Sequence, residues 1–228
     1  MKQKIFLSGI RKVSNRQSLR ITEIFFSIQG ESRTVGLPTI FIRLTGCPLR
    51  CGYCDTAYAF HGGTLMDMDD ILNKVAAYQV KRVLVTGGEP LAQINCLALM
   101  AQLCDQGYEV SIETSGALDV AQIDPRVVKV MDIKTPGSGE VSRNLYENIS
   151  HLLPQDQVKF VLCHREDYDW AKTILIQYAL PSICEVLFSP SYTELAPALI
   201  ADWILEDRLP VRLQIQLHKY LWGDAPGK

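Results

Sequence analysis

Alternation between short apolar runs and stretches of helical period most constrains this chain. The apolar runs are 39–44 (TIFIRL), 82–86 (RVLVT), 108–113 (YEVSIE), 127–133 (VVKVMDI), 157–162 (QVKFVL), 184–188 (CEVLF) and 211–216 (VRLQIQ). They are rich in β-branched residues, and several are apolar almost throughout, as parallel strands covered on both faces must be. Between them, 67–79 places Ile71, Leu72 and Val75 on one helical face, and 91–106 does the same with Leu97, Met100, Leu103 and Cys104. Residues 166–179 and 194–207 are likewise periodic, and 135–142 (TPGSGEVS) has the composition of a loop. Strand, helix, strand is the grammar of a right-handed parallel α/β fold. Six or seven strands are too few for a closed eight-stranded barrel, so a truncated (βα) barrel and a doubly wound sheet both fit. In either, function sits at the carboxyl ends of the strands.

The 228 residues are 47% hydrophobic and 21% charged, with a net charge of -2. That is enough chain for one substantial core. Lys2, Lys4, Arg11, Lys12, Arg16 and Arg20 are spread thinly through polar residues. They suggest a loosely ordered arm over 1–20 ahead of a single domain over 21–228, not a nucleic-acid footprint. No apolar run approaches the roughly 18 residues of a membrane span. The amino-terminal stretch lacks a continuous apolar signal core, so a cytoplasmic location is expected.

Seven cysteines are present, and three crowd into Gly46-Cys47-Pro48-Leu49-Arg50-Cys51-Gly52-Tyr53-Cys54-Asp55, directly after the run at 39–44. On a short loop, Cys-x3-Cys-x2-Cys lets three sulfurs converge on one inorganic body, and thiolates select zinc or an iron–sulfur cluster. Structural zinc takes four ligands, and His61 is a conceivable fourth. Three ligands on a cluster leave one iron open. Cys96, Cys104, Cys163 and Cys184 sit in apolar periodic surroundings and read as packing residues.

A cysteine run of this spacing after an early strand resembles the signature of the radical S-adenosylmethionine (SAM) superfamily. Thr86-Gly87-Gly88-Glu89-Pro90, after the next apolar run, resembles the superfamily's GGEP motif, which holds the SAM amino group. The glycines allow carbonyls close to an ammonium, and Glu89 supplies the opposite charge. Upstream, Phe26-Ser27-Ile28-Gln29-Gly30-Glu31 resembles the SIQGEG motif of the 7-carboxy-7-deazaguanine synthases, with Ser32 in place of the final glycine. Cys54-Asp55-Thr56, Asp132-Ile133-Lys134, Ser189-Pro190 and Gln216-Leu217-His218-Lys219-Tyr220-Leu221-Trp222-Gly223 resemble further segments of that family. The likeness runs from about residue 21 to the end.

The resemblance implies a truncated (βα) barrel, a homodimer, and a 4Fe-4S cluster on Cys47, Cys51 and Cys54. It implies SAM against Tyr53, Cys54, Asp55, Gly88, Glu89, Ser115, Asp132, Ile133, Lys134, Ser189 and Pro190, with Mg2+ on Thr56. The substrate, 6-carboxy-5,6,7,8-tetrahydropterin, would meet Ile28, Gln29, Gly30, Glu31, Arg43, Thr86 and His218. The implied reaction is its radical ring contraction to 7-carboxy-7-deazaguanine with loss of ammonia, fed by a flavodoxin or ferredoxin as electron donor. Taken alone, Arg43 reads as a strand residue pairing a neighbour, His218 as a packing histidine and Thr56 as part of a turn. Two other classes compete. A glycyl-radical activase shares the cysteine spacing but gives no reason for SIQGE or QLHKYLWG. A zinc module requires a fourth ligand and leaves TGGEP without a role.

Overall fold

The computed structural model describes residues 17–192, 194–223, 225 and 227. Among the described residues, nine strands form one sheet: β1 (Ser18–Ile28), β2 (Pro38–Leu44), β3 (Thr64–Asp67), β4 (Arg82–Gly87), β5 (Glu109–Thr114), β6 (Val128–Asp132), β7 (Gln157–Leu162), β8 (Glu185–Pro190) and β9 (Arg212–Leu213). Their order is β3-β1-β2-β4-β5-β6-β7-β8-β9. From β2 to β9 every neighbouring pair is parallel and each strand lies beside its predecessor among them. β1 runs antiparallel to both β2 and β3. Nowhere along the parallel run does the strand order reverse, which removes the doubly wound alternative, and the sheet is an unclosed, partial (βα) barrel.

Five α-helices accompany it: α1 (Met68–Ala77), α2 (Asn95–Asp105), α3 (Arg165–Gln177), α4 (Pro197–Asp207) and α5 (Leu217–Trp222). Ile71, Leu72 and Val75 of α1 are buried as the periodicity requires. In α2 the inward face is turned from the expected one: Cys96, Leu99, Met100 and Leu103 are buried, while Leu97 and Cys104 are only partly covered. The helix starts at Asn95 after a tight turn over Pro90–Ala92, so the register of its stripe is set by that turn. The segment 135–142 contains two short 3-10 turns, Pro136–Ser138 and Val141–Arg143.

Period-two alternation places every strand residue on one of two faces. Ile40, Ile42 and Leu44 of β2, Val83 and Val85 of β4, and Val110 and Ile112 of β5 pack outward with α1 and α2. Met131, Val158, Phe160, Leu162, Val186 and Phe188 do so with α3 and α4. Each such side chain stabilises the fold by about 1.5–3 kcal/mol through burial. The inner face is different in kind. Arg43, Thr86, Glu113, Asp132 and Lys159 point into a central cavity.

Three expectations differ from the structure. β1 and β3 lack the buried two-sided pattern by which the other strands were read, because they lie toward the sheet's edge and alternate with polar residues. β9 spans only Arg212–Leu213; Gln214 N–H still donates to Phe188 O of β8 at 2.9 Å, and beyond it the chain turns to the loop after β1, where Leu217 N–H donates to Gly30 O at 3.0 Å. The boundary at 20/21 falls inside β1, which begins at Ser18; the rest of the expected arm, 1–16, lies outside the described residues. Among the described residues, no helix is long and apolar enough to cross a membrane.

Candidate active site

The cavity opens at the carboxyl ends of the parallel strands and has a volume of about 430 Å³. Its mouth is the loop after β2. Gly46 N–H donates to Ala59 O at 2.8 Å, and Glu89 N–H donates to Gly46 O at 2.8 Å, so the cysteine loop and the end of β4 are laced together. That approach explains Gly88, because a Cβ there would come to 2.7 Å of Cys47 Cβ and inside contact distance of Gly46 O. Cys47, Cys51 and Cys54 all line the cavity as free thiols. Burial pushes Cys47 up, and it pushes Cys51 up to about 11 against the pull of Lys134. Such thiols need a metal's charge to persist as thiolates. Among the described residues no three His, Cys, Asp or Glu side chains converge on a single metal ion, and His61 is exposed. Three sulfurs spread around a loop suit a body larger than one ion, which is what a 4Fe-4S cluster is.

Next to the cysteines, two buried polar atoms have no hydrogen-bond partner: Tyr53 Oη and Asp132 Oδ1. Both residues line the cavity. Lys134 Nζ donates to Asp132 Oδ2 at 2.9 Å and lies 5.7 Å from the Tyr53 ring centroid. Burial works against the Lys134 charge, but Asp132, Cys51 and Glu89 together more than offset it and hold the ammonium. Orphaned groups in a cavity wall mark where a polar ligand completes the set. Their donor and acceptor character fits the hydroxyls, amine and carboxylate of SAM. Gly88, Ser115, Asp55, Ser189 and Pro190 line the same region.

Two of the residues expected against SAM do not face the cavity. Glu89 is 0% exposed, and its carboxylate accepts from Leu91 N at 3.0 Å, from Thr114 Oγ1 at 3.0 Å and from the amide and hydroxyl of Ser115. Its charge is spent on fixing Thr114 and Ser115 in the wall, behind which it sits. The Ile133 side chain packs into the outer core and only its neighbours Asp132 and Lys134 turn inward, as strand alternation dictates.

The floor is assembled from distant segments. The loop after β1 folds across the barrel, where Arg33 N–H donates to Gln157 Oε1 at 2.9 Å. Ser32 adopts φ +65, a left-handed conformation natural to the glycine that the resembling motif carries there. Glu31 is buried. Lys159 Nζ donates to its Oε2 at 2.7 Å and Gln216 Nε2 to its Oε1 at 3.0 Å. Burial opposes the Lys159 charge, while the carboxylates of Glu31, Asp132 and Glu113 more than restore it. α5 packs on this loop: Leu217 N–H donates to Gly30 O at 3.0 Å, and a Cβ on Gly30 would overlap His218 Nδ1. Burial holds His218 below its ordinary value, so the imidazole is neutral. Gln29, Ile28, Gly30 and Thr86 also line the cavity.

Arg43 pairs a neighbouring residue, as it reads taken alone, and also reaches the cavity. Its Nε donates to Glu23 Oε1 on the neighbouring strand at 2.7 Å. Thr56 Oγ1 donates to Asp55 Oδ1 at 2.7 Å, a local turn at the cavity edge. Burial alone would raise Asp55, but Thr56, Lys219, Lys159 and His218 hold it below its usual value. Sequence reasoning passed over Lys159, Gln216 and, as a floor residue, Glu113. For Lys159 the signal was a lone charge at an inward position of its strand.

Comparison with known proteins agrees with this geometry. The Radical SAM superfamily model matches residues 41–132. The chain is 44% identical over 219 residues to the 7-carboxy-7-deazaguanine synthase of Chlorobaculum tepidum, covering 94% of this chain and all of that protein. It is 42% identical to the same-named protein of Koribacter versatilis, covering 90% and 97%. The crystal structure of QueE from Escherichia coli superposes with a TM-score of 0.73 over 88% of this chain and 95% of that one, at 22% identity, a likeness of fold. With its partial barrel, its three-cysteine mouth and these relatives, the chain belongs to the 7-carboxy-7-deazaguanine synthase family of the radical SAM superfamily.

Proposed function

We propose that this enzyme contracts the ring of 6-carboxy-5,6,7,8-tetrahydropterin to 7-carboxy-7-deazaguanine with loss of ammonia, a step of 7-deazapurine (queuosine) synthesis. The observation that carries the reading is one cavity with two chemically distinct ends. A soft, three-sulfur mouth beside orphaned polar atoms leads to a floor charged with both signs. In this reading Cys47, Cys51 and Cys54 hold the 4Fe-4S cluster. Tyr53, Asp55, Gly88, Ser115, Asp132, Lys134, Ser189 and Pro190 hold SAM, with Glu89 fixing the wall from behind. Together the bound cofactors supply a carbon-centred radical able to remove hydrogen from the substrate.

The rest is done by this chain's residues. Glu31, clamped by Lys159 and Gln216, presents a fixed carboxylate edge to the amidine-like N–H groups of the pterin, with Gln29 beside it. Arg43 and the neutral His218 donate to the substrate carboxylate, Arg43 being pre-set by Glu23. Thr56 is suited to Mg2+ through its hydroxyl, since magnesium takes oxygen ligands and keeps several waters. α5 is tied to the loop that carries Glu31, through Leu217 N–H on Gly30 O, and so sets where His218 sits at the floor. A homodimer, a flavodoxin- or ferredoxin-type electron donor and a cytoplasmic location belong to the same reading.

The test is substrate discrimination. The parent protein is expected to bind the carboxylated tetrahydropterin much more tightly than an analogue lacking the carboxylate. Arg43→Ala is expected to erase most of that preference, roughly tenfold or more, because one charge-assisted hydrogen bond contributes about 1.5–3 kcal/mol. Equal discrimination by parent and variant would remove Arg43 and this orientation of substrate.

A further inference from the structure

We propose that Glu113 is a catalytic residue of this reaction, the group that exchanges protons with the substrate as ammonia leaves. The inference rests on the reaction assigned above. Substrate and product plus ammonia balance without any oxidant or reductant, so nitrogen must depart carrying hydrogen that began on carbon. The closing step is a 1,2-elimination. The C–N bond breaks with its electron pair going to nitrogen, and nitrogen takes a proton from the Glu113 carboxyl and departs as ammonia. The adjacent C–H then returns a proton to the Glu113 carboxylate, and its electron pair becomes the new ring double bond. Glu113 ends as it began.

The cavity offers few other groups free to change protonation. Lys159 is pinned as a cation between Glu31 at 2.7 Å and Asp132 at 4.0 Å, and Lys134 is pinned by Asp132 at 2.9 Å. Arg43 is a permanent cation. Glu31 already accepts from Lys159 and Gln216. Burial pushes the Tyr53 phenol far up, so it keeps its proton.

Glu113 is built differently. It ends the inward row of β5, one residue past the Val85–Ile112 pairing with β4, as Thr86 is on β4, and Thr86 pairs with Arg43 on β2. Its carboxyl lines the cavity and takes one hydrogen bond, from Thr86 Oγ1 at 3.1 Å. No cation lies within ion-pair distance of it among the described residues. The charges that face it are Lys159 on β7, Glu31 on the loop after β1 and Arg43 on β2. Burial is the largest influence and, with the Glu31 charge, raises it above the ordinary carboxyl value against the pull of Lys159, Thr86 and Arg43. A proton donor of this kind contributes when it can give and retake the proton in place.

Glu113→Gln keeps the shape and the Thr86 contact but cannot exchange a proton. Iron content, SAM binding and substrate binding, each measured by titration, are expected to match the parent. Transfer of deuterium from carbon-labelled substrate into the cleaved SAM is also expected to persist. Ammonia release is expected to fall at least about 100-fold, the range of a lost general acid–base. In Glu113→Ala, added formate is expected to restore part of the ammonia release, a rescue that a purely structural role would not show. Parental ammonia release by Glu113→Gln would overturn the proposal, as would a loss fully explained by weaker substrate binding. If Glu113→Gln fails to fold, absence of formate rescue in a folded Glu113→Ala overturns it. An inactive parent would instead remove the reaction on which the proposal rests.

Discussion

The two ends of the cavity are built in opposite ways. The mouth is contiguous: Cys47, Cys51, Tyr53, Cys54 and Asp55 lie within nine residues, and the end of β4 is tied to that loop by the Gly46–Glu89 hydrogen bond. The floor comes from segments remote in the chain, with Glu31 held by Lys159 and Gln216, which are 128 and 185 residues away. Chemistry that every member of a large superfamily shares sits on a loop that folds onto itself. Chemistry that selects one substrate sits where topology gathers strand ends and the C-terminal helix. Damage to the mouth should therefore abolish the radical and leave the fold intact, while damage to the floor should spare the cluster and disturb recognition or stability.

The largest effect sharpens the mouth side. Cys51→Ala is expected to lose the broad visible absorbance of the anaerobically reconstituted cluster and all SAM cleavage, while Cys96→Ala keeps both. Iron retained at the parental level in Cys51→Ala would break the comparison at its first term.

On the floor, Lys159→Met strips the Glu31 carboxylate of its cation. Breaking a buried pair by removing one partner costs about 3–5 kcal/mol, and the 11% exposure of both side chains puts the expectation at the low end, near ~3 kcal/mol. Denaturant midpoints would measure it, and iron content should be unchanged. A loss under about 0.5 kcal/mol would mean the pair is effectively solvated.

Gly30→Ala probes the join between the floor and α5. The added methyl meets His218, and overpacking of this kind costs about 1–3 kcal/mol. Substrate affinity should fall while SAM affinity holds; equal loss of both would show that floor and mouth are mechanically one. Thr56→Ala should blunt stimulation by Mg2+ with the cluster intact, and Thr56→Ser should be mild. The smallest effect is Ser32→Gly. It relieves a left-handed backbone worth about 1–2 kcal/mol but frees the unfolded chain, so a net gain of about 0.5 kcal/mol in stability is expected.

The same contrast explains what could be read before the structure. The strand and helix alternation was legible because outward residues such as Ile40, Ile42, Val83 and Val85 obey a packing rule local to each element. The three cysteines were legible because their spacing is local too. Glu89 was placed in contact with SAM, whereas its carboxylate is turned inward on Thr114 and Ser115, 25 and 26 residues on. Ile133 was grouped with Asp132 and Lys134 because a motif is contiguous, although alternation sends its side chain to the other face. Lys159 went unassigned because a single charge in QVKFVL acquires meaning only when the fold brings Glu31 and Asp132 beside it. The early edge strands escaped notice because their pattern is polar on one side.

The central claim is that a mouth built for a radical and a floor built for a carboxylated pterin serve one reaction. The direct measurement is an anaerobic incubation of the reconstituted protein with SAM, reductant, Mg2+ and 6-carboxy-5,6,7,8-tetrahydropterin, followed by mass analysis of the pterin pool. The account requires a product lighter by one ammonia that co-elutes with 7-carboxy-7-deazaguanine. SAM cleavage at full rate with the pterin recovered unchanged would contradict it, leaving a radical SAM enzyme whose floor serves some other substrate.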